Sequence, residues 1–504
     1  MDLFEPEACY RAIQTRDARF DGRLYVGVTS TGIYCRPVCP ARTPKAENCR
    51  FYPSAAAAQD AGFRPCLRCR PETAPDLASW RGASNTVSRA LALIAEGGLD
   101  DEAGVDDLAE RLGLGGRQLR RLFKQHLGAS PIAVAQTRRV LFANQLIQET
   151  ALSMAEVALA SGFGSVRRFN ETFQALYRRP PGELRRQARA SAAVKPGDPT
   201  ATLRLSYRPP YDWNAMLAFL AARTIEGIDQ VEGGAYRRTF NQDGHLGRVE
   251  VTRLPERSAL QVAITVGDVR ALPGVVARVR RVFDLGADIE TIDAHLARDP
   301  LLAPLVAARP GLRAPGGWDG FELAIRAVLG QQVTVVAARR LASRLIEICG
   351  RPLPPETALP PALVRAFPSA ADVAEADLSS LGMPGARRAT LKALAVAARD
   401  DAQLFRPFGS IEAAIARLKA IPGIGEWTAH YVALRALRET DAFPASDIGL
   451  LRGATGADGE RPSPKALLDR AEPWRPWRAY AAQHLWAADP ADPSAQKPKK
   501  ASNA

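Results

Sequence analysis

Two cysteine pairs carry the clearest chemistry in the chain: Cys35 and Cys39 in GIYCRPVCPAR, and Cys66 and Cys69 in RPCLRC. Cys-x-x-x-Cys and Cys-x-x-Cys spacings let both sulfurs of a pair reach one ion, so the four predict a tetrahedral thiolate site with zinc as its metal. A closed four-cysteine site is usually structural, but an exposed thiolate held by zinc is also a nucleophile. Of 7 cysteines in 504 residues, 6 fall within the first 69, too lopsided for a general disulfide framework. Cys9 and Cys49 have no partner at ligand spacing and are expected as small buried apolar groups. RPCLRC also contains half of a nucleobase-deaminase signature, but that chemistry needs a His-x-Glu element and the first histidine is His126.

A second functional pattern lies in IEAAIARLKAIPGIGEWTAHYVALRAL, which reads as an amphipathic helix, a hairpin at Ile421 to Gly425 and a second helix. Gly423 and Gly425 let the backbone come close to a phosphate, and the N–H groups of the following helix would face it. Pro-Gly-x-Gly also makes ordinary helix-joining turns, so the motif by itself allows both a DNA clamp and a plain connection.

The charge balance favours a polyanion. Lys and Arg number 67 against 54 Asp and Glu, a formal net charge of +13. No basic amphipathic helix with a bulky apolar face stands out, and no apolar run is long enough to span a bilayer. The opening MDLFEPEACYRAIQ has none of the parts of a secretion signal. These features predict a nucleic-acid partner, no membrane partner and a cytoplasmic protein with reduced thiols, placed on the nucleoid when bound to DNA.

The elements that must position these residues follow from composition breaks. Pro-, Ser- and Ala-rich stretches at residues 70–84 and 189–201 divide the chain, and residues 489–504 read as a disordered tail. Between the breaks lies a helical block with a near repeat. Leu108 and Leu112, a Gly-containing turn, then Leu119, Leu122, Phe123 and Leu127 form one unit. Val157 and Ala158, a turn at Gly162 to Gly164, then Phe169, Phe173 and Tyr177 form the other. Each is a helix-turn-helix candidate, and Ser153 with Glu156 makes a capping box at the start of the second. The outward faces carry Arg117, Arg120, Arg121 and Lys124 in one unit and Arg167, Arg168 and Asn170 in the other, suited to two successive major grooves. A helical bundle with solvated arginines is the plainer alternative.

The tandem units resemble the DNA-binding domain of AraC-type regulators. Together with TGIYCRPVCPARTPKAENCRFYPSAAAAQDAGFRPCLRC they resemble the amino-terminal half of the Ada family of alkylation-response regulators, over residues 1 to about 190. The resemblance implies that Cys35 is both a metal ligand and the acceptor of a methyl group from a methylphosphotriester in DNA. Nearby Arg36, Arg42, Lys45 and Arg50 could hold the phosphate. That family's second transferase needs Cys in a Pro-Cys-His-Arg context. The only later cysteine, Cys349 in IEICGRP, lies instead in an apolar helical pattern.

Residues 201 to about 488 resemble the AlkA family of 3-methyladenine DNA glycosylases, through YRPPYDWNAMLAFLAAR, LGMPGARRA, IPGIGEWTAHYVALRAL and PWRPWRAYAAQHLW. The resemblance places the catalytic aspartate at Asp447, in AFPASDIGL, and the aromatic lining of the base pocket at Trp427, Tyr431 and Trp486. Read alone, Asp447 would be a loop residue or helix cap. A carboxylate beside the sugar would stabilise positive charge as the base departs, and electron-rich rings would attract a cationic alkylated purine. The chain departs from the family's type member at Ser446, where Asp is usual, and at Gln332, where a leucine wedge is usual. Related bifunctional lyases carry Lys at the position of Trp427, so water is the expected nucleophile. Those relatives often bind an iron–sulfur cluster through carboxy-terminal cysteines, which are lacking here, so no cluster is expected, while a monovalent or divalent cation at the hairpin is allowed.

The fold expected is multidomain and mainly α with α+β parts. A small zinc-binding α/β domain (1–78) precedes an all-α double helix-turn-helix domain (84–190), an α+β AlkA amino-terminal domain (201–310) and an all-α helix-hairpin-helix glycosylase domain (311–488). The function implied is a methyl-accepting transcriptional activator joined to a monofunctional 3-methyladenine-type glycosylase. Its partners are alkylated and promoter double-stranded DNA and RNA polymerase, and the chain acts as a monomer. Two alternatives stay open: a damage-sensing transcription factor whose glycosylase half only holds DNA, and a repair enzyme whose helix-turn-helix units only retain it there.

Overall fold

The computed structural model describes residues 5–75, 85–99, 104–189, 200–242, 244–353, 362–455 and 459–491. These form two compact units, residues 1–208 with 254–277, and residues 209–253 with 278–504. No described helix is long and apolar enough to cross a membrane.

The first unit begins with a four-stranded sheet in the order Cys49–Tyr52, Tyr25–Val28, Ile33–Cys35, Arg64–Pro65. The first three strands are antiparallel, with Val26 facing both Cys35 and Phe51, and the last pairs in parallel through Tyr34 and Pro65. This register brings the end of the Cys35 strand beside the segment that carries Cys66. Cys9 and Cys49 are buried in small apolar clusters of this sheet, as expected.

Five helices make the two helix-turn-helix units and their connection. Val105–Arg111 and Gly116–Leu127 form the first, Met154–Ala160 and Val166–Tyr177 the second, and the long helix Pro131–Glu149 joins them. Phe123, Phe169 and Phe173 are fully buried, each adding roughly 1.5–3 kcal/mol through removal of its ring from water. The expected capping box is present: Ser153 Oγ accepts from Glu156 N at 3.2 Å, and Glu156 Oε2 accepts from Ser153 N at 2.7 Å.

The sheet is tied to these helices by buried polar contacts. Thr137 donates to Gln59 at 2.7 Å, and Gln59 donates to the Tyr34 hydroxyl at 2.9 Å. Arg70 bridges Glu72 at 2.8 Å and Glu149 at 3.0 Å, while Asn144 donates to Glu72 at 2.8 Å. This network corrects the break expected from residue 70. Pro71–Thr73 is a buried turn packed on the connecting helix, and only residues 76–84 of that stretch lie outside the described residues. Residues 190–199 of the second break lie outside them too.

The strands of the expected α+β block are all present. The antiparallel pair Thr200–Ser206 and Ala259–Val266 belongs to the first unit, where Arg204 joins Glu149 at 3.0 Å. The meander Asp229–Glu232, Ala235–Gln242, His245–Leu254 falls almost wholly in the second.

The second unit is otherwise helical. Arg238 on the meander and Arg326 on helix Gly320–Leu329 both pair with Glu322, at 2.8 and 2.7 Å, with Arg238 and Glu322 buried and Arg326 half-buried. The helix-hairpin-helix appears as predicted, with helices Ile411–Lys419 and Glu426–Arg435. The beginning of the tail expected from residue 489 is ordered instead: Asp489 is buried and takes Arg452 in two contacts of 2.9 and 2.7 Å. Residues 492–504 lie outside the described residues.

Candidate functional site

The first site is the cysteine cluster. The Sγ atoms of Cys35, Cys39, Cys66 and Cys69 all lie within 4.8 Å of one another, and all four residues are free thiols. A tetrahedron of sulfurs at the usual zinc–sulfur bond length has edges of roughly 3.8 Å, so the donor set fits zinc. Thiols this close share protons: hydrogen bonding to Cys39 raises Cys35, while hydrogen bonds from Cys35 and Cys39 lower Cys66. A divalent cation resolves that competition by taking all four as thiolates. The backbone N–H of Arg36 donates to Cys69 Sγ at 3.3 Å, and Cys35 stays half-exposed while Cys66 and Cys69 are buried.

The basic residues around the cluster divide into two groups. Arg42, Lys45 and Arg50 are exposed. Arg36, expected as a phosphate ligand, is turned inward: its guanidinium donates to Asp21 at 2.7 Å, to Cys69 O at 3.0 Å and to Thr73 at 2.6 Å. Its side chain is 11% exposed, and its donors brace the metal loop. Arg117, Arg120, Arg121, Lys124, Arg167, Arg168 and Asn170 are all exposed on their second helices, as expected. Arg120 pairs with Asp106 at 3.3 Å and Arg167 with Glu171 at 2.9 Å, exposed contacts of small energy that a phosphate can displace.

The second site lines a cavity of about 1420 Å³ within the second unit. Asp447 caps the short helix Ile448–Gly453, its Oδ1 accepting from Gly449 N at 2.8 Å and Leu450 N at 3.1 Å. It is therefore a helix cap and a pocket residue at once. Trp427 and Tyr431 lie one turn apart on the second hairpin helix, stacked with ring centres 5.3 Å apart, and Trp486 meets Tyr431 edge-on at 6.1 Å. The Trp427 indole donates to Asp447 Oδ2 at 2.5 Å and the Trp486 indole to Oδ1 at 2.9 Å. All four predicted pocket residues are half-buried at one wall.

Arg435 is the pocket residue that sequence reasoning missed. It is buried, with its guanidinium 4.9 Å from the Trp486 ring centre and 5.7 Å from that of Tyr431, and burial pulls it down to about 10. It donates to Pro315 O and Gln483 Oε1, both at 2.8 Å. Its spacing from Trp427 and Tyr431, two turns and one turn along the same helix face, was the available signal. One face of Trp486 is thus already taken by a cation.

Gln332 lies at the cavity rim, exposed, with φ +58°, a conformation in which side chains other than Gly are uncommon. Its neighbour Gln331 donates to Gly423 O at 3.2 Å and Thr428 at 3.0 Å, so this turn is anchored to the hairpin. Gly423 has φ +86°, and a Cβ there would meet Thr390 Oγ1 at 1.9 Å, whereas a Cβ on Gly425 would meet nothing within 4 Å. Cys349 ends helix Val335–Cys349 half-buried, its thiol pushed up to about 11 by burial.

The arrangement defines a multidomain protein in which a metal-binding thiol cluster and tandem helix-turn-helix units precede a helix-hairpin-helix fold with a carboxylate in an aromatic pocket. Family models match at residues 8–72 (metal binding domain of Ada), 108–187 (helix-turn-helix domain) and 202–319 (AlkA N-terminal domain). A Mycobacterium tuberculosis protein named as a probable bifunctional transcriptional activator/DNA repair enzyme AlkA is 43% identical over 485 residues, 95% of this chain and 96% of its own. Escherichia coli DNA-3-methyladenine glycosylase 2 is 36% identical over 56% of this chain and 95% of its own. The Escherichia coli bifunctional activator/repair enzyme Ada is 35% identical over 26% of this chain and 35% of its own. The 3-methyladenine DNA glycosylase of Archaeoglobus fulgidus superposes with a TM-score of 0.50 at 22% identity, over 57% of this chain and 97% of that one, a likeness of fold. The chain belongs to the family of bifunctional transcriptional activator/DNA repair enzymes of the AlkA type.

Proposed function

We propose that the chain accepts methyl groups from DNA methylphosphotriesters on Cys35, thereby activates repair genes, and excises alkylated bases of the 3-methyladenine type as a monofunctional glycosylase. The observation that carries the glycosylase reading is the Asp447 carboxylate at the wall of an aromatic cavity beside the helix-hairpin-helix.

Base excision needs no covalent enzyme intermediate in this reading. The C1′–N bond breaks with its electron pair leaving on the base, and a 3-methylated adenine departs neutral because it starts cationic. Asp447 stabilises the positive charge that grows on the sugar, and water supplies the oxygen that bonds to C1′, losing its proton to solvent. Trp427 and Tyr431 stack the flipped base. Gln332, held in its left-handed conformation at the rim, fills the gap left in the duplex, and Gly423 and Gly425 bring the hairpin backbone to a phosphate, where a monovalent or divalent cation would also bind.

For methyl transfer, Cys35 Sγ attacks the methyl carbon, the S–C bond forms as the C–O bond breaks, and the electron pair stays on the phosphate oxygen. Bound zinc would keep the sulfur a thiolate at neutral pH. Arg42, Lys45 and Arg50 hold the phosphate, and the exposed arginines of the two second helices read the promoter. In this reading residues 1–78 accept the methyl group, 84–190 bind the promoter, and 201–310 with 311–488 excise the base. The activator works as a monomer with RNA polymerase as its partner, in the cytoplasm, without an iron–sulfur cluster. The test is release of free base from methylated duplex DNA. Asp447→Asn should lower release by about a hundredfold or more while damaged-DNA binding persists, and near-normal release would reject the assignment.

A further inference from the structure

Asp447 is held by more donors than a helix cap requires. Gly449 N and Leu450 N on Oδ1 complete the cap. Two further donors arrive from separate helices: Trp486 Nε1 on Oδ1 at 2.9 Å, and Trp427 Nε1 on Oδ2 at 2.5 Å. Rings that only stacked a base could point their N–H groups anywhere; here both meet one carboxylate. A glycine after Ile448 leaves this meeting undisturbed, since a Cβ on Gly449 would crowd Oδ1 at 3.0 Å and the Trp486 ring at 3.1 Å.

We propose that Trp427 and Trp486 are positioning residues for Asp447, acting through their indole N–H groups rather than through their ring faces alone. The inference rests on the reading of Asp447 as the group that stabilises the sugar cation. A carboxylate's terminal torsion is broad, so without a clamp its two oxygens exchange places readily. Three donors use up the acceptor capacity of Oδ1, whereas the single donor on Oδ2 leaves a lone pair open. The clamp therefore assigns Oδ2 to face the sugar and Oδ1 to anchorage.

The experiment uses the full-length, zinc-loaded chain carrying Trp427→Phe, Trp486→Phe or Asp447→Asn. Single-turnover release of 3-methyladenine from methylated duplex is measured alongside affinity for a duplex with a tetrahydrofuran abasic analogue. Each phenylalanine variant should lose about ten- to a hundredfold in rate while keeping its affinity within about threefold. If a phenylalanine variant misfolds, benzothienylalanine at the same position keeps the bicyclic shape with sulfur in place of N–H and decides the point. Rates within about twofold of the parent, with Asp447→Asn inactive, would mean that the rings only stack, and the inference falls while the aspartate reading stands. Parallel losses of rate and affinity overturn it equally. Full activity of Asp447→Asn would remove the aspartate reading and this inference with it.

Discussion

The Arg435 guanidinium lies 4.9 Å from the ring centre of Trp486, so a fixed positive charge backs the aromatic wall that faces the proposed substrate. Among the described residues it has no carboxylate partner, its side-chain bonds going to Pro315 O and Gln483. A cation behind that wall opposes a cationic base and offsets part of the attraction from the rings. Arg435→Gln keeps a donor and removes the charge. The ratio of 3-methyladenine excision to excision of a neutral base should rise by about threefold or more, and an unchanged ratio would mean that Arg435 is felt only as packing.

The two hairpin glycines should fail in different ways. Gly423→Ala places a methyl against Thr390 at a left-handed backbone position, so it should destabilise the second unit and weaken duplex binding together. Gly425→Ala meets nothing in the protein and should leave thermal stability near that of the parent. If the Gly425 backbone approaches a phosphate, affinity for duplex DNA should nonetheless fall; equal affinity in a binding titration would remove Gly425 from the interface.

Cys35 and Cys69 should separate function from folding. Cys35→Ala is expected to abolish methyl acceptance and alkylation-dependent activation, yet leave release of methylpurines near normal. Cys69→Ala, or chelation of the zinc, should unfold the small sheet around the cluster, because metal-binding free energy there is folding free energy. Four thiolates around a divalent zinc carry a net charge of −2, and methylation of Cys35 leaves −1 beside an anionic backbone. Promoter affinity should rise by about 1–3 kcal/mol on methylation. Mass spectrometry of protein exposed to methylated DNA checks the acceptor, and an unmodified Cys35 peptide alongside repaired phosphotriesters would exclude it.

Glu322 sets an acid limit on the second unit. Burial alone would raise its carboxyl, but Arg238 and Arg326 hold it down at about 2 against an ordinary 4.5. A carboxylate depressed in the folded state contributes stability that is complete above its unfolded value and is lost as pH falls toward the folded one. The contribution, on the order of a few kcal/mol, should therefore disappear between about pH 4.5 and 2. Glu322→Gln should lower stability at neutral pH and flatten that part of the acid-unfolding curve. A parallel curve displaced at every pH would show that the loss is steric.

Local features of the sequence were enough for each element that depends on short-range spacing. The cysteine pairs, the Ser153–Glu156 box, the buried positions of the two helix-turn-helix units and the Ile421 to Gly425 hairpin all obey rules that act over a few residues. Arg36 shows where such rules stop. Its place beside Cys35 suggested a phosphate ligand, but Asp21 and Thr73, distant in sequence, claim its donors. The same holds for residue 70 onward, where Glu149 and Asn144 turn an apparent linker into a buried joint.

The sequence by itself determined the kinds of group present and the helix, turn or loop on which each sits, because those follow from periodicity and local hydrogen bonding. Only the tertiary structure decided their directions: that Trp427 and Trp486 aim their N–H groups at Asp447, and that Arg435 stands behind Trp486. The reason is physical. Residues 427, 447 and 486 meet only once three helices have packed, and the orientation of a half-buried ring is set by the neighbours that enclose it, which no local spacing encodes.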